Sequence, residues 1–245
     1  MEEKQPVSLI ATGISKRFNA FLAVDHVDFE LVGGEAVGIV GPNGAGKTTL
    51  LNLLSGACSP SSGTVSFCGV DVTRLDAAGR CRRGIARSHQ VPRPFSGMTV
   101  FENAFVAASA GGQLEGQRAY QTCIESLELC GILRLANRPA EALGLLDRKR
   151  LELARALATG PQVLLLDEIG GGLTDAEANE LVQIIRELRR RGIAIVWIEH
   201  IVHVLVQIVG RLVCMDAGRV IADGRPEAVM RDAAVIDAYF GSAVV

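Results

Sequence analysis

The chain has 245 residues, 49% of them apolar, with 25 basic side chains against 27 acidic ones and a net charge of −2. That length and composition can bury one sizeable core, and the even mixture of signs lacks the basic stripe of an electrostatic nucleic-acid binder. No apolar run reaches the about 18 residues of a membrane span; the longest, Ile193 to Val209, is broken by Glu199, His200, His203 and Gln207. Met1 to Pro6 is acidic and lacks the basic and apolar regions of a secretory signal. The cysteines at 58, 68, 81, 123, 130 and 214 form no C-x-x-C pair, and read as reduced core residues of a cytosolic protein.

In chain order, residues 7–40 alternate apolar and polar, as in Val24-Asp-His-Val-Asp-Phe29, and predict antiparallel strands half-buried against the rest. Glu35 to Val40 is an apolar run suited to a buried strand, and Lys47 to Ser55 reads as a helix stopped by Gly56. Thr64 to Phe67 and Gly84 to Ser88 predict two further strands. From Thr99 to about Ala158 the periodicity is helical, and Pro161 ends that block. Thr99-x-x-Glu102 and Thr174-x-x-Glu177 both fit a capping box at a helix start. Val163 to Asp167 and Ile193 to Ile198 predict buried parallel strands, joined by a helix with Leu181, Ile184, Ile185 and Leu188 on one face. Leu212–Met215 and Val220–Ala222 predict a hairpin turning at Ala217-Gly218, and Pro226 opens a helical tail ending near Phe240.

Two motifs carry chemistry. Gly41-Pro42-Asn43-Gly44-Ala45-Gly46-Lys47-Thr48-Thr49 fits G-x-x-x-x-G-K-[ST], set between a strand and a helix. Its glycines let backbone N–H groups turn inward as a nest for an anion, and the following helix adds the positive end of its dipole. Lys47 then reaches the β- and γ-phosphates, and the Thr48 hydroxyl suits Mg²⁺. The second motif is the apolar strand 163–166 ending in Asp167 and Glu168. After a phosphate-binding loop, Asp167 is suited to hold Mg²⁺ and Glu168 to position an attacking water.

With these motifs the chain resembles the ATP-binding subunits of ABC transporters, and more narrowly the ATPases of branched-chain amino acid importers, over nearly its whole length. Ser15 to Val24 is similar to that family's opening, which places an aromatic over adenine at the position of Phe18. Gly84 to Gln90 resembles its glutamine loop, with Gln90 near Mg²⁺ and the γ-phosphate, and Ile198-Glu-His200 its switch histidine. Arg148 to Thr159, Ala222 to Val229 and Ala238 to Gly241 resemble the helix after its signature motif and its tail. The resemblance implies an α/β fold: a P-loop ATPase core with an N-terminal antiparallel β layer and a helical insert. In one domain over 1–245, residues 1–91 and 158–225 would form the core with its β layer, 92–157 the helical signature subdomain, and 226–245 the tail.

It further implies ATP and Mg²⁺ as ligands, with Thr48, Gln90 and Asp167 toward the metal. The catalytic groups would be Glu168, His200, Lys47 and Gln90. The expected partners are a second ATPase subunit, membrane permease subunits and, indirectly, a solute-binding protein, at the cytoplasmic face of the membrane. No nucleic acid is expected. The pattern departs at the signature motif, approximately L-S-G/Y-G-Q, which caps the opposite subunit's γ-phosphate. Here it reads Leu143-Gly144-Leu145-Leu146-Asp147. Gly144 has no hydroxyl, Leu146 adds bulk where backbone must approach the anion, and Asp147 brings negative charge. Ile169 replaces the usual proline after Glu168, and Gly172-Leu173-Thr174-Asp175 departs from the usual loop. These changes predict a dimer with one competent and one impaired composite site. A regulatory nucleotide-binding subunit and a non-transport ABC ATPase are the alternatives.

Overall fold

A computed structural model of the chain describes residues 7–240. The acidic opening 1–6 and the end of the tail from Gly241 lie outside the described residues. Among the described residues, ten strands form two sheets. One is antiparallel, in the order β2 (Phe21–Val32), β1 (Ser8–Phe18), β4 (Ser62–Phe67), β5 (Val70–Asp71). The other runs β10 (Arg219–Gly224), β9 (Arg211–Asp216), β3 (Ala36–Val40), β8 (Ala194–Ile198), β7 (Val163–Asp167), β6 (Ile85–Arg87). Its strands from β9 to β6 are parallel, and β10 closes one edge antiparallel to β9.

The uniform apolar runs of β3, β7 and β8 arise because both faces of this sheet are covered. Side chains alternate across a strand. Val163 and Leu165, with Val196 and Ile198, face a core shared with the antiparallel sheet and the helix α1 (Lys47–Ser55). Leu164 and Leu166, with Ile195 and Trp197, face a second core built with helices α5 (Leu145–Ala158) and α6 (Asp175–Arg190). Between β6 and β7 lie α3 (Val100–Val106), a π-turn over Ala107–Gly111, α4 (Gly116–Leu129), two 3-10 turns and α5. Both capping boxes form, at Thr99 for α3 and Thr174 for α6. Gly56 ends α1 with φ 77°, where a left-handed residue terminates the helix. The β9–β10 hairpin turns at Ala217 and Gly218, both at positive φ as a two-residue turn requires.

Two short helices lie outside the sequence reading. α2 (Ala77–Arg82) is capped by Asp76, whose carboxylate accepts the Gly79 N–H, and α7 (Val202–Leu205) follows β8. The tail is helical from Pro226 to Phe240 as expected, in two pieces, α8 (Pro226–Val229) and α9 (Ala233–Phe240). α2 carries Arg80, which is fully buried. Its guanidinium donates to the carbonyls of Leu54 (2.9 Å), Val72 (3.1 Å) and Thr73 (3.2 Å), and also to that of Leu53. Two of these carbonyls belong to the last turn of α1, where a helix leaves acceptors unpaired. No described helix is long and apolar enough to cross a membrane.

Candidate active site

The phosphate-binding loop leaves β3 at Gly41 and enters α1 through Gly46. Gly41 has φ 143°, and a Cβ there would lie 2.1 Å from the Met215 carbonyl oxygen. Gly46 has φ 98°, and its Cβ would lie 2.4 Å from the Ala23 carbonyl oxygen. Both positions therefore admit only glycine. Gly46 is also the N-cap of α1 and supplies no side-chain acceptor, so N–H groups of the first turn stay available to an anion. Lys47 is buried, and its ammonium donates to the Gly41 (2.7 Å) and Pro42 (2.9 Å) carbonyls. Burial lowers its pKa, opposed by the negative charge of Glu168 and Asp167.

A cavity of about 250 Å³ opens over this loop, lined by Asn43 to Thr49, Ala23, Glu168 and Phe21. The aromatic on its wall is Phe21 and not Phe18, the residue the sequence reading placed over adenine. The two face each other across the β1–β2 turn. Phe18 has the Lys16 ammonium 5.1 Å from its ring centroid, a cation–π contact that occupies a face a base would use.

Gln90, Glu168 and His200, far apart in sequence, meet at one carboxylate. His200 Nε2 lies 2.7 Å from Glu168 Oε1, and Gln90 Nε2 donates to Glu168 Oε2. Glu168 adopts φ 46°, an uncommon conformation for a non-glycine residue, while its N–H donates to Ile198 O at 2.9 Å. The bond ties the turn after β7 to the end of β8. Such strain belongs where the surrounding structure fixes a functional side chain.

Asp167 ends β7 and is buried. Its Oδ2 accepts from Arg87 Nη2 at 2.7 Å, and its Oδ1 is buried without a protein partner. Arg87 also bonds Asn52 on α1. An orphaned buried carboxylate oxygen in reach of a phosphate loop fits a hard cation. Among the described residues no group of three His, Cys, Asp or Glu could hold a metal alone. That donor set suits Mg²⁺, which commonly binds through one or two carboxylates plus substrate phosphates.

The sequence reading missed two buried charges beside Glu168. Glu199 accepts the Gly170 N–H (2.6 Å) through Oε1 and the His200 N–H (3.2 Å) through Oε2. It thus joins the loop after Glu168 to the switch histidine. A Cβ at Gly170 would lie 2.8 Å from Glu199 Oε1, so a side chain there would displace the carboxylate that holds the loop. Burial pushes the Glu199 pKa up. Lys149, buried on α5, has its pKa lowered by burial and supported by Glu199 and Glu168. The sequence signals were a glutamate at the end of an apolar strand and the run Gly170-Gly171-Gly172.

The stretch 143–147 starts α5. Leu143 is buried, and Gly144 is an N-cap with no side-chain bond and open space where a Cβ would stand. Leu146 packs partly buried against the core, so the bulk held against it in the sequence reading turns inward; the exposed side chain is Leu145. Asp147 sits in the first helical turn, 3.5 Å from Arg150.

A phosphate loop on a parallel sheet, faced by an Asp-Glu strand end, a glutamine and a histidine, defines a P-loop ATPase. The chain belongs to the ABC transporter family: that family's sequence profile matches residues 24–170, and the profile described as branched-chain amino acid ATP-binding cassette transporter matches 219–245. It is 37% identical to the high-affinity branched-chain amino acid transport ATP-binding protein LivG of Escherichia coli (strain K12), covering 98% of this chain and 99% of LivG. The lipopolysaccharide export system ATP-binding protein LptB of Haemophilus influenzae is 32% identical, with 95% and 97% covered. Among solved structures, an ATP-binding cassette of an ABC transporter in its ADP conformation superposes with a TM-score of 0.87 at 30% identity, covering 96% of this chain and 99% of that one.

Proposed function

We propose that this chain is the ATPase subunit of an importer for branched-chain amino acids or similar small polar solutes, bound peripherally at the cytoplasmic face of the membrane. The observation that carries the catalytic reading is the convergence of Gln90 and His200 on Glu168 at the wall of the phosphate-loop cavity. Import of amino acids, rather than the export served by LptB, is favoured by the profile match over 219–245 and by the higher identity to LivG.

ATP lies with its phosphates on residues 41–49 and its base against the aromatic edge of the β1–β2 hairpin. Lys47 turns from the loop carbonyls to the β- and γ-phosphates. Thr48, Gln90 and Asp167 would hold Mg²⁺, which neutralises charge on the phosphates. Glu168 orients water for in-line attack on the γ-phosphorus, and His200 stabilises the charge that develops. Arg87 holds one oxygen of Asp167 and keeps the other turned free.

The working unit is a dimer with a second ATPase chain, whose signature would cap the phosphate bound here. Residues 143–147 would serve the partner's nucleotide poorly, because Gly144 offers no hydroxyl and Asp147 repels phosphate. The helices of 92–157 form the subdomain that moves on closure. Gln90 passes that movement through Val91 to Phe95, with exposed Val91 and Phe95, to a membrane subunit. The test is Mg-ATP turnover by the purified chain, alone and mixed with the second ATPase chain of its transporter, with Glu168→Gln as control in each. Silence alone with Glu168-dependent turnover in the mixture supports one working composite site. Robust turnover alone refutes the asymmetry, and silence in both refutes the catalytic reading.

A further inference from the structure

We propose that Tyr239, on the C-terminal helix α9, is a positioning residue for the phosphate-binding loop: its hydroxyl holds the Gly41 amide and fixes the point where β3 becomes the loop. The contact spans 198 positions of sequence, and the Gly41 N–H donates to Tyr239 Oη at 2.7 Å. This rests on the reading of that loop as the ATP site.

Gly41 is held from three sides. Its N–H is taken by Tyr239, its carbonyl by the Lys47 ammonium (2.7 Å), and its α-carbon lies against the Met215 carbonyl. Tyr239 and Lys47 therefore fix the two peptide planes that flank the residue of φ 143°. The two grips differ in what nucleotide does to them. Lys47 belongs to the loop and is recruited by phosphate. Tyr239 is delivered by another element and has no reason to leave.

The helix that carries Tyr239 is anchored for this task. Val235, one turn earlier, is buried in the main hydrophobic core, and the helix packs on β10. Val235 is the buried anchor of this helix, while Tyr239 keeps 41% of its surface exposed and turns its hydroxyl in to Gly41. The loop is further tied to the same part of the chain by Gly218 N–H, which donates to Ala45 O at 3.1 Å. Burial raises the phenol pKa, which keeps the hydroxyl neutral.

The experiment compares wild type, Tyr239→Phe and Tyr239→Ala in the full chain. Readouts are affinity for a fluorescent ATP analogue, hydrogen exchange of the Gly41 amide without nucleotide, and thermal midpoint. Phe keeps the ring and removes one oxygen. Tyr239→Phe is expected to weaken nucleotide binding about five- to tenfold, to speed Gly41 exchange, and to lower the midpoint by no more than the few degrees that one lost hydrogen bond costs. Its loss of affinity should be close to that of Ala. Wild-type affinity and unchanged Gly41 exchange in Tyr239→Phe, with a defect only in Ala, would overturn the proposal, because ring packing would then be the whole role. If wild type binds no nucleotide, the reading of the site fails instead, and Gly41 exchange still decides whether Tyr239 holds the loop.

Discussion

Replacing Glu199 by Gln changes one atom in a buried carboxylate that clasps two catalytic loops. Glu199 accepts one N–H through each oxygen, from Gly170 at 2.6 Å and His200 at 3.2 Å. Glutamine keeps one acceptor and turns an NH₂ toward the other amide. An orphaned buried donor costs about 1–3 kcal/mol, and the retained bond loses its charge assistance, about 1 kcal/mol. Relief from burying a charge offsets part of this, since burial already raises the Glu199 pKa. The net destabilisation is about 1–3 kcal/mol, to be read as a lowered urea midpoint at unchanged m-value. Turnover should fall more than nucleotide affinity, because the clasp sets Glu168 against His200 and touches no phosphate-loop residue. The sign with pH follows from the raised pKa. The stabilising contribution of Glu199 is complete below the ordinary glutamate value of 4.5 and declines as pH rises through its higher folded-state value. The stability gap between wild type and variant should therefore narrow as pH climbs out of the acid range. A variant with wild-type midpoint and turnover would refute the clasp.

Three further outcomes are expected. Gly170→Ala should reproduce the turnover loss of Glu199→Gln with a stability cost of about 1–3 kcal/mol, since its Cβ would press on Glu199 Oε1; urea melts and ATPase rates check it. Phe21→Ala should weaken ATP affinity about tenfold while Phe18→Ala changes it little, measured by titration with a fluorescent analogue; the reverse order restores Phe18 as the base platform. Glu168→Gln should retain nucleotide binding and lose turnover by at least about a hundredfold, seen in a phosphate-release assay with the second ATPase chain present.

What the sequence disclosed is what is local. The helix Lys47–Ser55, the strand Val163–Asp167 and both capping boxes stand where the sequence placed them, because each depends on residues within a few positions of one another. The strand-end motif singled out Glu168 and the family resemblance Gln90 and His200, although their meeting point needed the parallel order of β6, β7 and β8. Partnerships between distant elements were hidden. Arg87 on Asp167, Glu199 on Gly170, Arg80 on α1 and Tyr239 on Gly41 join residues whose types gave no periodic signal. The resemblance pointed to Phe18 for the base, whereas Phe21, its partner across the β1–β2 turn, lines the cavity and Phe18 carries the Lys16 cation. The short helices α2 and α7 escaped because four to six residues are too few to establish a period.

Arg80 decides where motion in this molecule can go. Its guanidinium, locked under the far end of α1 by carbonyls of that helix and of the segment 72–73, pins the helix opposite the end that receives phosphate. α1 spans nine residues, a rod of about 13 Å, held by a cation at its tail and built to take an anion at its head. Sliding such a rod would break the Arg80 bonds at its tail. Displacement must be taken up at its margins, by the Lys47 side chain, the glycine run after Glu168, and the exposed stretch from Gln90 to Phe95. The helix is an anvil, and the parts that strike it are elsewhere in the chain.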